Sequence, residues 1–451
     1  MISPTKRWIL SVFGFLLFMT SLSAQDKAVT VVSLKDAIDY AWSNSLAVKN
    51  AQVNIADAEQ QIIERRSIGL PQLTADFNFQ RYLQVPVQPL PEAFIELIRA
   101  LNPNSEVSGE ASFFLQNNFT AGLNLDAMIF DGSYFVGLQA AKAYRNYVQV
   151  DLNVQRRNVK TNVVEAYLPV LLVNENLQLL EKNIGNLEKL LFETQQLYQE
   201  GFVEQLDVDR LELSLANLKV ERDNLVRQKE IALSGLKFAM NYPVNDPLEV
   251  EESITDLMSQ ASNEDLTQTV DYSSRPEVAL VDQGLELNEL NIKNNKVGYL
   301  PTLRAYGTYQ QGYQGNNAED GFWAPTTFVG VRLSVPIFDG LYKKAVIQRA
   351  RLDLEKSQNQ KEELLNAISL EVVNARITYI NTQERLENQR KNLNLAERIY
   401  NTTQIKYREG VGSSLEVTQA EQSLYDSQSN YTQAMYDLLA AKMQLDLALG
   451  K

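Results

Sequence analysis

The chain has 451 residues, no cysteine, no histidine and a formal net charge of −14. Without cysteine there is no disulfide, no thiolate chemistry and no cysteine-anchored lipid, and without histidine the usual general base and commonest metal ligand are gone. An acidic chain of this kind lacks the basic footprint that phosphate binding needs, so no nucleic-acid partner is expected.

Lys6 and Arg7 precede an apolar run from Trp8 to Met19, and Ser21-Leu22-Ser23-Ala24 supplies small residues before Gln25. Residues 1–24 read as a secretory signal peptide, too short for a stable membrane span; an uncleaved anchor is the alternative. Its removal takes Lys6 and Arg7 and no acid, so the net charge goes from −14 to −16. No later segment approaches the 18 or so uninterrupted apolar residues of a spanning helix, so further membrane contact has to come from strands.

A first repeat is expected over 25–240. Ser33 caps a helix over 34–68, with Asp36 in its first turn and Ala37, Ile38 and Ala41 on its apolar side. Gly69 and Pro71 stop it. Strands follow at about 70–84 and 113–130: Leu73, Ala75, Phe77 and Phe79 alternate with polar residues, as do Phe119, Ala121, Leu123 and Leu125. The period of two fits either a tilted membrane strand or a half-buried soluble sheet. Tyr82, Phe113, Phe114 and Phe119 here, and Tyr306, Tyr309, Tyr313, Phe322, Trp323 and Phe328 later, tilt the choice toward an interfacial aromatic girdle. Between the strands, 84–112 reads as an ordered surface loop with an amphipathic stretch around Phe94, Ile95 and Leu97 and the turn Asn102-Pro103-Asn104-Ser105.

A helix signal then runs over 132–200, on the order of 100 Å at 1.5 Å per residue. Pro169 is expected to kink or break it. After Gly201 the chain reverses into a helix over 205–240. Residues 241–274 read as an irregular equatorial segment with a short helix near Leu257. A second repeat covers 275–451: helix 275–298, strands at about 300–313 and 326–338, helices 340–409 and 413–449. Ile184, Leu187, Leu191, Thr194 and Tyr198 follow 3-4-3-4 spacing, and Leu393, Ala396, Tyr400, Thr403 and Tyr407 repeat the phase, a coiled-coil seam.

The duplication is visible in single motifs. Tyr198 to Gly201, followed by Leu206-Asp207-Val208, returns 209 positions later as Tyr407 to Gly410, followed by Leu415-Glu416-Val417. Phe130-Asp131-Gly132 returns as Phe338-Asp339-Gly340, and Leu70-Pro71 as Leu300-Pro301. Four strands in lipid leave two open edges, which hydrocarbon does not tolerate, and four are too few to close alone. If the strands enter lipid, copies of the chain have to complete the barrel. Asn78, Gln80, Asn124, Asp126, Arg332 and Ser334 would then face a wet lumen.

In the order and spacing of these motifs, with Ser33-Leu34-Lys35-Asp36 at its start, the sequence resembles the TolC-type outer-membrane efflux proteins over essentially its whole mature length. The resemblance implies a mainly α fold with membrane β: a duplicated helix–strand–strand–helix unit forming a long α-helical barrel continuous with a transmembrane β-barrel completed by trimerisation. It implies an outer-membrane location with a large periplasmic part, contact with outer-membrane lipid, a periplasmic adaptor protein and an inner-membrane transporter, and no cofactor. Specificity in that family rests largely with the transporter, so drug, metal and protein cargo stay open.

The same resemblance puts Gly201 and Gly410 at the periplasmic tips, with Tyr198, Phe202, Leu206, Val208, Val411, Leu415 and Val417 as adaptor-docking positions. Asp207 and Glu416 would ring the pore mouth, with Tyr407 placed to bond Asp207. Capping is the rival account of the acids: Ser413 and Glu416 fit a capping box, whereas Glu204 in the matching place explains Asp207 less well. Two family positions depart here. Gln419 stands where a second acid is usual, and Gly412 where an Arg can bond neighbouring helices. A carboxylate-based hydrolase finds no phosphate loop or nucleophile elbow. A periplasmic coiled-coil adaptor or rod does not account for two strand pairs.

Overall fold

The structure, a computed structural model, describes residues 29–103, 109–112, 114–260, 269–317 and 319–450. The expected signal peptide, Phe113 and the Asn104-Ser105 part of the outer turn lie outside them. In chain order the first half holds β1 (Thr30–Val32), α1 (Leu34–Asn44), α2 (Leu46–Ser67), β2 (Gln72–Arg81), β3 (Gln88–Pro89), α3 (Glu92–Leu101), β4 (Glu110–Ala111), β5 (Asn117–Phe130), α4 (Gly132–Gln199) and α5 (Gln205–Met240). The second holds β6 (Leu248–Val250), α6 (Ile254–Gln260), a 3-10 turn at Tyr272–Ser274, α7 (Pro276–Val297), β7 (Thr302–Gly315), β8 (Phe322–Ser334), α8 (Tyr342–Arg408) and α9 (Ser414–Leu449). Packing divides the chain into two compact units. One draws on the described residues within 1–48, 156–269 and 372–448, the other on those within 49–155, 270–371 and 449–451. Among the described residues no helix is long and apolar enough to cross a membrane.

The second of these units contains a four-stranded antiparallel sheet in the order β2-β5-β7-β8. Residues opposite each other share a face. Leu73 lies opposite Leu125, Phe77 opposite Ala121 and Phe79 opposite Phe119. The same face continues through Tyr309 and Tyr313 to Val329, Val331 and Trp323. It is apolar and bare: Phe77 is 75% and Val329 86% exposed. The other face is polar and bonded to itself. Asn124 Nδ2 donates to Asp76 (2.5 Å), Thr308 Oγ1 donates to Asn124 Oδ1 (2.8 Å), and Arg304 pairs with Asp126 (2.9 Å). The outer edges of β2 and β8 have no strand partner among the described residues.

The aromatics divide between the two faces rather than forming one girdle. Phe119 and Tyr313 pack on Trp323 on the apolar face, with ring centroids 6.1 and 5.3 Å apart. Tyr306 and Phe328 lie on the polar face, 6.2 Å apart, with the Arg332 guanidinium 5.3 Å above Tyr306. Gly330 makes room for that ring, since a Cβ there would come within 2.6 Å of it. The strand expected to reach 338 ends at Ser334. Pro336 has no N–H to continue the ladder, so Val335 and Ile337 fall outside it.

In the other unit, the parts of α4, α5, α8 and α9 next to the turns bury a shared apolar core. Leu180, Leu187, Leu190, Leu211, Val417 and Tyr400 belong to it. Pro169 does not break α4, which is one helix from Gly132 to Gln199. Its neighbours Tyr167, Leu168, Val170 and Leu171 are all buried. Burying four such side chains at about 1.5–3 kcal/mol each outweighs the roughly 3 kcal/mol that an interior proline costs.

The helix expected over 34–68 is instead two, broken at Ser45, whose ψ of 133° leaves the helical region. Asn241, in the left-handed conformation at the end of α5, donates its side-chain amide to the freed Asn44 carbonyl (3.0 Å). The segment expected to be irregular over 241–274 contains β6, which pairs in parallel with β1. The buried Tyr167 hydroxyl donates to the Glu252 carboxyl (2.7 Å) and lies 3.1 Å from the Val32 carbonyl, while the Leu34 amide donates to the same Glu252 oxygen (2.8 Å). Burial first, and the Glu252 bond second, push the Tyr167 phenol far above its ordinary range. Tyr167→Phe should therefore cost about 1.5–3 kcal/mol, the value of a buried bond to a carboxyl, read as a lower denaturant midpoint. An unchanged midpoint would show that this hydroxyl does not hold the β1–β6 pair.

Candidate functional site

Both tips are Schellman turns. Gly201 N–H donates to the Tyr198 carbonyl and Phe202 N–H to Leu197, each at 2.9 Å; Gly410 and Val411 repeat this with Tyr407 and Lys406 at 3.0 Å. Gly201 (φ +78°) and Gly410 (φ +73°) occupy the left-handed region, which a side chain would strain. The following residues, Phe202 and Val411, are each 77% exposed. Tyr198, Leu206 and Leu415 are exposed beside them. Val208 and Val417 are not available for docking: they are 4% and 0% exposed, and point into the helical core.

Asp207 works harder as a cap than its neighbours in sequence imply. Its Oδ2 accepts from the Glu204 amide (3.2 Å), so α5 has a reciprocal capping box despite Glu204 at the N-cap. Its Oδ1 accepts from the Ser414 hydroxyl, and Arg210 Nη1 donates to that same hydroxyl oxygen (3.3 Å). Asp207, Ser414 and Arg210 thus tie the first tip to the second. Ser414 is fully buried, which strengthens such bonds by excluding water. Neither Ser414 nor Arg210 stands out in the sequence, because their partner is some 200 residues away.

Tyr407 is not bonded to Asp207. Its hydroxyl donates to Thr194 Oγ1 (3.4 Å), both side chains being buried. Burial raises the Tyr407 phenol pKa, the Thr194 bond opposes this, and the nearby Asp207 charge adds to the rise. Glu416 is exposed, with its amide donating to Ser413 Oγ (3.2 Å). Gly412 folds back on the end of α8, its N–H donating to Lys406, and a Cβ would lie 3.1 Å from the Tyr407 nitrogen. A side chain at 412 requires the end of α8 to give by a few tenths of an ångström.

The profile of the outer membrane efflux protein family matches residues 37–241 and 272–451. The chain belongs to that family. Its relatives include the outer membrane protein TolC of Vibrio cholerae, 21% identical over 95% of this chain and 93% of TolC. The pyoverdine export outer membrane protein OpmQ of Pseudomonas aeruginosa is 23% identical over 74% of this chain and 70% of its own. Among solved structures, the open state of the MtrE outer membrane channel of Neisseria gonorrhoeae superposes with a TM-score of 0.66 at 18% identity, over 96% of this chain and 93% of MtrE. The family fold accounts for a mainly helical chain that contributes an incomplete, open-edged sheet.

The tip network separates two contributions to stability. Asp207→Ala should cost about 1–2 kcal/mol, from the lost cap and the lost link, whereas Ser414→Ala should cost about 1 kcal/mol and keep the cap. Guanidinium midpoints compare the two. An Asp207→Ala loss no larger than that of Ser414→Ala would remove the cap from the account.

Proposed function

We propose that this chain is the exit duct of a tripartite export system, formed by three copies in the outer membrane. The observation that carries the reading is the sheet β2-β5-β7-β8, apolar on one face, polar on the other and unpaired at both edges. Unpaired backbone groups cost several kcal/mol each in hydrocarbon, so the edges of one copy have to meet those of the next. Two copies would make an eight-stranded barrel, whose interior side chains fill; three make a 12-stranded barrel with room for a lumen. Family membership supports the location and the efflux role. The two copies of the repeat, 25–240 and 275–451, each supply one strand pair and one tip, and 241–274 joins them. The soluble-rod alternative has no use for the bare face of Phe77, Val329 and Val331.

The exposed Phe202 and Val411, with Tyr198, Leu206 and Leu415, are the adaptor-facing surface of this reading, and the adaptor links the duct to an inner-membrane transporter. Asp207 and Glu416 put two rings of three carboxylates near the periplasmic mouth, a charge that favours cations.

Detergent-extracted protein should run as a trimer by native mass spectrometry; a monodisperse monomer that conducts ions would overturn the closure argument. Val331→Arg on the lipid face should destabilise the inserted barrel by about 2–4 kcal/mol in a refolding titration, and a neutral effect would point away from lipid. The double variant Asp207→Ala with Glu416→Ala should still assemble but lose cation preference in bilayer reversal potentials. Unchanged selectivity would sink the charge-ring role.

A further inference from the structure

Two turns inside the second tip, α9 carries Glu421 at the position that repeats Glu212 of α5, 209 residues earlier. The two glutamates have different surroundings. Glu212 is exposed and accepts from Gln195 Nε2 (3.2 Å). Glu421 is partly buried and lines a cavity of about 80 Å³ among α4, α5, α8 and α9. That is room for several waters, at about 10–15 Å³ of such volume each. Its polar walls are Asn183, Asn186, Ser214, Asn217, Tyr400 and Thr418.

Among the described residues no cationic side chain lines the cavity to neutralise an ionised Glu421. The titratable groups that face it are Tyr400 of α8 and Tyr425 of α9; α4 and α5 present amides, a hydroxyl and Leu218. Farther out, Arg408 is paired with Glu193 (3.2 Å), while Glu221 and Asp426 bear on Tyr425 and add negative charge. Tyr400 is pushed up to about 12 by burial and then by the Glu421 charge, with Arg408 opposing, so it stays neutral, and its hydroxyl accepts from Gln404 Nε2 (3.5 Å).

We propose that Glu421 is a proton-operated latch: its neutral form lets α9 stay packed against α4, α5 and α8 beside the tip, and its ionised form loosens that packing and favours an open tip. The placement connects the two events. Ser414, held by Asp207 and Arg210, lies seven residues before Glu421, two helical turns along the same face of α9. Burial raises the Glu421 pKa from 4.5 to about 7. The folded bundle therefore binds more protons than the unfolded chain between those values. The Glu421 contribution to stability is full below about pH 4.5, is lost as pH rises to about 7, and is flat beyond.

The test uses the full-length protein and three forms: wild type, Glu421→Gln and Glu212→Gln. Wild type and Glu212→Gln should both melt at a lower temperature at pH 8 than at pH 5. Glu421→Gln should lose most of that difference by melting higher than wild type at pH 8. The opening half of the proposal rests on the channel reading above and is read in bilayers. Open probability of wild type and Glu212→Gln should rise several-fold from pH 5 to 8 with a midpoint near 7, while Glu421→Gln stays low. A Glu421→Gln protein that keeps the wild-type melting and gating profiles overturns the latch and leaves the channel standing. Wild-type protein without conductance at any pH removes the channel reading and the gating role with it. Restoration of the wild-type melting point at pH 8 by sodium or magnesium would replace the proton by a cation and likewise overturn the latch.

Discussion

The unpaired backbone along β2 and β8 is the constraint on which the rest of this protein depends. Each edge strand has one side bonded within the sheet and one side bare, and the face between them is covered with Leu, Phe and Val that water does not favour. Water can satisfy the bare edges, but it does not satisfy the apolar face. Lipid satisfies the apolar face but makes the edges worse, since it offers no hydrogen bonds. Only further strands satisfy both. The opposite face is polar and bonded to itself through the Asp76–Asn124–Thr308 and Asp126–Arg304 contacts.

Duplication supplies the parts, and divergence between the copies supplies what differs in use. The two tips share the same Schellman backbone, yet their acids do different things. Asp207 is engaged twice, by the Glu204 amide and by Ser414, while Glu416 remains in solvent. Two turns inward the order reverses: Glu212 is exposed and bonded, and Glu421 faces a polar cavity. A pair of repeated glutamates thus acquires unequal electrostatics from packing alone. Gly412 adds to the asymmetry through its close approach to the end of α8.

How much of this was legible in the sequence varies with the range of the interaction. Ser33 caps α1 through a hydroxyl that accepts from the Asp36 amide, three residues on, and such a contact is readable from spacing. The 3-4 seam through Leu187 and Tyr400 is equally local, and both residues lie in the shared core. The break at Ser45 was not legible, because the group that stabilises it is Asn241. The β1–β6 pair was not legible either: three residues pair with three others more than 200 positions away, too short a run to carry a period.

By itself the sequence determined the repeat, the long helices, the strand alternation and the positive-φ glycines at the tips. These are matters of local periodicity and of backbone conformations that only certain residues adopt without strain. The tertiary structure alone decided that Pro169 stays helical, that Val208 and Val417 are core, that Asp207 answers to Ser414 rather than Tyr407, and that Glu421 rather than Glu212 lines a cavity. Each of those outcomes depends on which distant side chains exclude water from a given point. Burial sets the strength of a charge or a hydrogen bond there, and no spacing along the chain records it.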